Sequence, residues 1–131
     1  MITRFNVPNL YKVNRDLVKV ANGKLIPNLI IYNCKILSTY TDRILKNKEI
    51  WIFKGRIAAI KENNSALKIF NKKDLNIFDA ENNILAPGLI DPHMHIESSM
   101  MTACAYAEAA LLNGTTTIFC DSHEIGNVCD V

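Results

Sequence analysis

Two of the chain's three histidines, His93 and His95, lie in residues 86–100 and are separated by a single residue. Side chains two residues apart in an extended segment point to the same face, so the two imidazoles can reach one point in space. Neutral imidazole binds zinc, iron, nickel and similar divalent ions, and two ligands fixed on one strand lose little entropy on binding. The spacing therefore predicts that His93 and His95 bind a metal ion.

A second group of ionisable side chains follows the next extended run of the sequence. Asp121, His123 and Glu124 come directly after residues 115–120, which are rich in β-branched residues. In a barrel of alternating strands and helices, functional groups gather at the carboxyl ends of the strands. We therefore expect these three side chains at the same rim as the histidine pair, where they are candidates for a substrate pocket or a second metal site. The alternative is a solvated loop.

Three polar residues follow the histidine pair directly and are further candidates for the pocket. Glu97, Ser98 and Ser99 can orient a substrate or form a hydrogen bond with a ligating histidine. An alternative stays open for them, since hydroxyl side chains also stabilise the loop that enters a helix.

The elements that must position these residues form the order strand, loop, helix, strand. A strand begins at residues 89–91 and carries the histidines, and residues 98–102 form a loop. Thr102 is a suitable N-cap for a helix over residues 103–113, and Gly114 stands where a left-handed residue ends a helix. With a second strand over residues 115–120, this order is the βαβ unit of a parallel α/β architecture.

The first 86 residues predict a helix followed by short strands. Apolar residues at spacings of three and four indicate an amphipathic helix over residues 10–21, which Gly23 ends. Two apolar runs around Lys54 and Gly55 predict a hairpin, and Trp51 on it is expected in the core. Residues 63–75 are ambiguous and are treated as a surface excursion. The expected strands cover residues 29–37, 49–53, 56–60, 76–80 and 84–86.

Composition excludes several classes of protein. The net charge of +2 arises from 15 basic and 13 acidic residues, without the basic stripe expected of a nucleic-acid-binding protein. No apolar run approaches the ~20 residues that cross a bilayer, and the first residues lack a signal-peptide core. We therefore expect a cytoplasmic protein without a nucleic-acid or membrane partner. The four cysteines show no metal or disulfide spacing and are expected to be reduced and mostly core-filling.

Two sequence stretches resemble a known enzyme superfamily. Residues 55–60 (GRIAAI) and 85–95 (LAPGLIDPHMH) resemble the amidohydrolase superfamily, in which a β-sandwich strand precedes the first strand of a barrel. Residues 95–102 (HIESSMMT) and 121–128 (DSHEIGNV) are similar to its bacterial adenine deaminase family. The resemblance implies an α/β protein. Residues 1–86 would form a helix plus a small, mostly antiparallel β-sandwich-like domain, and residues 87–131 the first βαβ part of a metal-dependent (β/α)8 TIM barrel.

The same resemblance implies a metal-dependent aminohydrolase. The expected reaction is the hydrolytic deamination of adenine to hypoxanthine and ammonia by a metal-activated hydroxide, in purine salvage and adenine catabolism. His93 and His95 would bind one ion of a divalent-metal centre, with Mn²⁺ or Fe²⁺ expected and Zn²⁺ also possible. The substrate partner would be the purine base, and the full-length enzyme is expected to be a homo-oligomer.

The chain is too short for the whole of such an enzyme. A (β/α)8 barrel needs about 250 residues, and the chain has 131. We therefore expect the remaining metal ligands and the main acid or base beyond Val131, and a fragment that is inactive alone. Truncation, gene decay and a split gene stay open as explanations. Two other functions also stay open: a dihydroorotase-like enzyme acting on a cyclic amide, and a non-catalytic remnant.

Overall fold

A computed structural model describes residues 7–129 of the chain, which divides into two compact units, Met1–Ala86 and Pro87–Val131. The first unit contains one helix, five strands and two 3₁₀ turns within its described residues. Its elements are α1 (Leu10–Ala21), β1 (Leu29–Ser38), β2 (Arg43–Phe53), β3 (Arg56–Glu62), the turns Ala66–Lys68 and Lys72–Asp74, β4 (Ile77–Asp79) and β5 (Ile84–Leu85). The elements of the second unit are β6 (Leu89–Met94), the 3₁₀ turn Glu97–Ser99, α2 (Ala103–Leu112), β7 (Thr115–Cys120) and α3 (His123–Cys129).

The strands of the first unit form one mixed sheet in the order β3-β2-β1-β4, with β5 also paired to β1. Strands β1, β2 and β3 are antiparallel, whereas β4 and β5 run parallel to β1. The antiparallel pairing of the three long strands agrees with the expected mostly antiparallel unit, and the two short strands are its parallel exceptions. After β3 the chain crosses to the β1 side of the sheet. The strands β4 and β5 pair there with β1 and run in the same direction as β1. A helix packs on this sheet, and the described residues of the unit form no second sheet.

Helix α1 has the predicted bounds, and its apolar stripe packs on the sheet. Val13, Leu17 and Val20 are buried against Trp51 and neighbouring apolar side chains of β1 and β2. Burial of such a side chain stabilises a fold by about 1.5–3 kcal/mol, so this layer accounts for much of the stability of the unit. Trp51 is 0 % exposed, which confirms its expected place in the core.

A buried carboxylate lies beside this tryptophan. Glu49 is 1 % exposed, and its Oε1 accepts hydrogen bonds from Trp51 Nε1 at 2.8 Å and from the backbone N–H of Ala66 at 2.7 Å. Residues 49 and 51 face the same side of β2 because side chains alternate along a strand. Ala66 is also buried, so the supposed surface excursion is tied to the core at that residue.

The second unit has the predicted order of strand, helix and parallel strand. β6 pairs with β7 in parallel, and α2 connects them. The Thr102 hydroxyl accepts a hydrogen bond from the backbone N–H of Ala105 at 3.3 Å, as expected of an N-cap, and Gly114 has a φ of +85°. Gly88 directly precedes β6 and lies close to β7. A Cβ atom at this position would overlap with the side chain of Thr116.

Two expectations need correction in the described part of the chain. A solvated loop was the alternative for the residues after β7, but the chain forms the short helix α3 from His123. Cys34 is buried, whereas Cys104 and Cys120 are exposed, so core-filling is wrong for those two thiols; the side chain of Cys129 lies outside the described residues. Over residues 7–129, the structure holds no helix of the length and apolar character that spanning a membrane requires.

Candidate metal centre

Strand β6 brings the two predicted ligands together at its carboxyl end. The Nε2 atoms of His93 and His95 lie 3.1 Å apart, and the two rings are nearly perpendicular, at 88°. With bonds of about 2.0–2.1 Å, ligand nitrogens on one ion are separated by about 3.3 Å at a tetrahedral angle and about 3.0 Å at a right angle. The observed separation therefore fits two ligands of one divalent ion.

The tautomer of His95 is determined by a main-chain group. Its Nδ1 lies 2.7 Å from the carbonyl oxygen of Asp121. A carbonyl oxygen can only accept a hydrogen bond, so Nδ1 carries the proton and Nε2 keeps its lone pair. Metal-ligating histidines commonly donate their second ring N–H to such an acceptor, which fixes the orientation of the ring. The Nε2 atom of His95 thus lies towards His93, the orientation that its predicted role as a ligand requires.

The carboxyl end of β7 contributes a second histidine and a carboxylate. His123 Nδ1 lies 3.3 Å from Asp121 Oδ2, and the ring of His123 stands at 89° to that of His95, with centroids 4.7 Å apart. The possible ligand atoms of His95, Asp121 and His123 all lie within 4.8 Å of one another. The two strand ends thus form one cluster of nitrogen and oxygen donors. Such a donor set suits zinc, iron or manganese.

The three polar residues after the histidine pair have different environments. The hydroxyl of Ser98 donates to Glu124 at 3.1 and 3.2 Å from the two carboxylate oxygens, and not to a histidine. Ser99 donates to the carbonyl oxygen of Ile96 at 2.5 Å, which commits it to its own turn. Both carboxylate oxygens of Glu97 are buried and have no hydrogen-bond partner among the described residues. Sequence reasoning placed these three residues together, but only Ser98 contacts another candidate.

The first unit holds a separate cavity of about 300 Å³ near the buried Glu49. Asp79 on its wall accepts hydrogen bonds from the backbone N–H of Glu81 at 2.8 Å and from the Asn33 side chain at 3.0 Å. These donors lower the pKa of Asp79, and the hydrogen bond of Tyr32 to the same carboxylate raises the pKa of the phenol. The side chains lining the cavity are Ile30, Tyr32, Glu49, Asn64, Ala66, Leu67, Lys72, Ile77 and Asp79.

Comparison with known sequences shows which proteins the chain is similar to. The chain is 57% identical, over 98% of its length, to adenine deaminase 2 of Bradyrhizobium sp. (strain ORS 278). The chain is a homologue of adenine deaminases. It is also 39% identical, over 93% of its length, to the adenine deaminase of Staphylothermus marinus. No family model matches the chain.

The adenine deaminase homologue is much shorter than these relatives. It spans about a fifth of the length of the curated relatives it matches, 21% in both cases. Among solved structures, molinate hydrolase is 18% identical, with a TM-score of 0.51 over 72% of this chain and 24% of that chain. At this identity the likeness shows the fold alone, an α/β architecture with mixed sheets.

Two features of the adenine deaminase homologue's site were missed by sequence reasoning. The acceptor for His95 is a main-chain carbonyl, which every residue carries and no sequence pattern distinguishes. The partner of Ser98 lies 26 residues away, on a helix that the sequence did not predict. A helix-favouring Glu directly after His123 was the one available signal for that helix.

Proposed function

We propose that this adenine deaminase homologue binds a divalent metal ion and contributes to the hydrolysis of adenine to hypoxanthine and ammonia. The relatives named adenine deaminase, at 56–57% identity over nearly the whole chain, support the substrate and the reaction. The 3.1 Å separation of the Nε2 atoms of His93 and His95 is the observation that carries the metal site. Mn²⁺ or Fe²⁺ is the proposed ion, with Zn²⁺ as a further possibility, since imidazole suits all of them.

The reaction replaces the amino group of the purine with an oxygen from water. A C–O bond forms and a C–N bond breaks at one carbon, so a proton must pass from water to the departing nitrogen. A bound divalent ion would lower the pKa of a water molecule bound to it, to about 7 in the best zinc case. It would also stabilise the negative charge that develops during the reaction. His93 and His95 hold the ion in this proposal, and the Asp121 carbonyl keeps His95 in the ligating tautomer.

The pair of Asp121 and His123 is suited to the proton transfer. A carboxylate 3.3 Å from an imidazole nitrogen orients the ring. Both side chains are exposed at the strand ends, where a purine substrate can reach them. We propose that His123 assists this transfer beside the main acid or base, and that Asp121 is its partner or a further metal ligand.

Two imidazoles leave a divalent ion under-coordinated, since a catalytic zinc site commonly has three protein ligands. We propose that further ligands, and the main acid or base, lie in segments that correspond to the rest of the longer relatives. We propose further that the parallel β6 and β7 with their connecting helix begin a TIM barrel, and that the whole enzyme is a homo-oligomer. Cytoplasmic purine salvage and adenine catabolism is the proposed role of the reaction.

The test is a substrate comparison with the protein as its gene encodes it. Ammonia release is measured from adenine, and ring opening is measured for dihydroorotate and hydantoin, all with added Mn²⁺, beside a His93→Ala control and a chelator control. We expect ammonia release from adenine and no ring opening, with the release lost in both controls. Ring opening of dihydroorotate or hydantoin would instead support the cyclic-amide alternative, which the relatives do not favour. No bound transition metal, and no difference after His93→Ala, would support a non-catalytic remnant.

A further inference from the structure

We propose that Ser98 is a positioning residue of this site, which acts by holding the carboxylate of Glu124. The inference rests on the proposed function. It assigns Ser98 neither to the metal nor to the substrate, and it distinguishes Ser98 from the adjacent Ser99, whose hydroxyl bonds within its own turn.

The hydrogen bond joins the two segments that follow the strands of the second unit. Ser98 lies in the turn Glu97–Ser99 after β6, and Glu124 lies in the first turn of α3 after β7. The Ser98 hydroxyl is nearly equidistant from the two Glu124 oxygens, at 3.1 and 3.2 Å, so either can accept its proton. The other side-chain bond between the same segments runs from His95 to the Asp121 carbonyl.

The exposure of both residues argues against a purely structural role. Ser98 and Glu124 are both exposed, so the bond is not needed to satisfy groups shut off from water. An exposed hydrogen bond adds little to the stability of a fold, because water replaces either partner when the bond is broken. Its remaining effect is on orientation, since it removes rotamer freedom from a long carboxylate side chain.

The carboxylate held in this way lies next to His123 in sequence and at the same strand end. Glu124 can accept hydrogen bonds from the N–H groups of a purine base or supply an oxygen to an ion. In both cases a carboxylate that is already oriented loses less entropy when it binds. Loss of the Ser98 hydroxyl should therefore weaken whatever contact Glu124 makes, and should have no effect once Glu124 can no longer make it.

A double-mutant cycle on the full-length gene product tests the proposal. The variants are Ser98→Ala, Glu124→Ala and their combination, with Ser98→Thr as the conservative variant and Ser99→Ala as the matched control. The readouts are kcat and KM for adenine, the Mn²⁺ dissociation constant of the metal-free protein by calorimetry, and the thermal midpoint.

We expect Ser98→Ala to impair kcat/KM or Mn²⁺ affinity about ten-fold, the size expected for one hydrogen bond to a charged group. The same change should have less than about a two-fold effect in the Glu124→Ala background. Ser98→Thr and Ser99→Ala should stay within about two-fold of wild type, and Ser98→Ala should leave the thermal midpoint unchanged.

Three results would overturn the proposal. The first is a Ser98→Ala effect of equal size with and without Glu124, and the second is a Ser99→Ala effect as large as that of Ser98→Ala. The third is a Ser98→Ala variant that matches wild type in both kinetics and Mn²⁺ affinity. If the wild-type protein does not deaminate adenine, the proposed function fails, but the Mn²⁺ cycle still decides the role of Ser98.

Discussion

Replacement of the buried Glu49 by alanine should destabilise the first unit strongly. One oxygen of this side chain accepts both the indole N–H of Trp51 and the backbone N–H of Ala66. Alanine offers no acceptor, and Glu49 is 1 % exposed. The substitution would therefore leave two buried donors without a partner.

The expected loss follows from those two donors. An unsatisfied buried donor costs about 1–3 kcal/mol, so two of them cost about 2–6 kcal/mol. Whole domains are stable by only about 5–15 kcal/mol, so the loss is a large part of the total. Glu49→Gln keeps an oxygen at the same position and gives up only the charge. Its loss should be about 1 kcal/mol, because weaker hydrogen bonds are offset by a lower cost of burying the group.

Urea denaturation followed by tryptophan fluorescence measures this difference. Trp51 is the only tryptophan of the chain and is buried, so its emission reports the unfolding of the first unit. With a urea slope of about 2 kcal/mol/M, a loss of 4 kcal/mol lowers the midpoint by about 2 M. Glu62→Ala is the control, since Glu62 pairs with Lys48 at an exposed position and should change stability by less than about 0.5 kcal/mol.

Either of two results would refute the reasoning. If Glu49→Ala lowers the midpoint no further than Glu62→Ala, the carboxylate does not satisfy buried donors. If Glu49→Gln is as damaging as Glu49→Ala, the charge of Glu49 matters and its role as an acceptor does not.

Other substitutions test the pH response of the first unit and the packing of the second. The pKa of Asp79 is lowered in the folded protein, mainly by the hydrogen bond from the Glu81 N–H. Ionised Asp79 therefore stabilises the fold at pH values above 3.8, the pKa in the unfolded chain. This contribution is lost as the pH falls through the lower pKa of the folded protein. Asp79→Asn should therefore flatten the acid side of a plot of urea midpoint against pH; an unchanged slope would contradict this. Gly88→Ala should lower the thermal midpoint of the second unit, followed by circular dichroism, because its Cβ would overlap with Thr116.

Local signals in the sequence predicted the helices α1 and α2 and the strand β7. For α1, an apolar stripe and a following glycine specify the helix without help from distant residues, and its bounds match the prediction. For α2 and β7, the Thr102 cap, an alanine-rich run and Gly114 do the same. The histidine pair belongs to this group, because its separation along one strand is itself a local property.

Features that depend on distant pairing were not predictable. The direction of β4 and β5 is determined by the edge of the sheet that they join, and their own residues do not encode it. The burial of Glu49 runs against the polarity of its side chain and depends on Ala66, 17 residues away. Ser98 offered several equally suitable partners, and only the tertiary structure selects Glu124.

The hydrogen bond from His95 to the main chain of residue 121 makes the ligand's orientation independent of which amino acid occupies that position. Asp121→Ala removes a carboxylate but keeps the carbonyl oxygen that accepts the Nδ1 proton. Mutation can therefore change the chemistry of residue 121 in evolution or in the laboratory without turning the imidazole. Metal affinity measured after Asp121→Ala would thus report the side chain's own contribution, separated from the orientation of its neighbour.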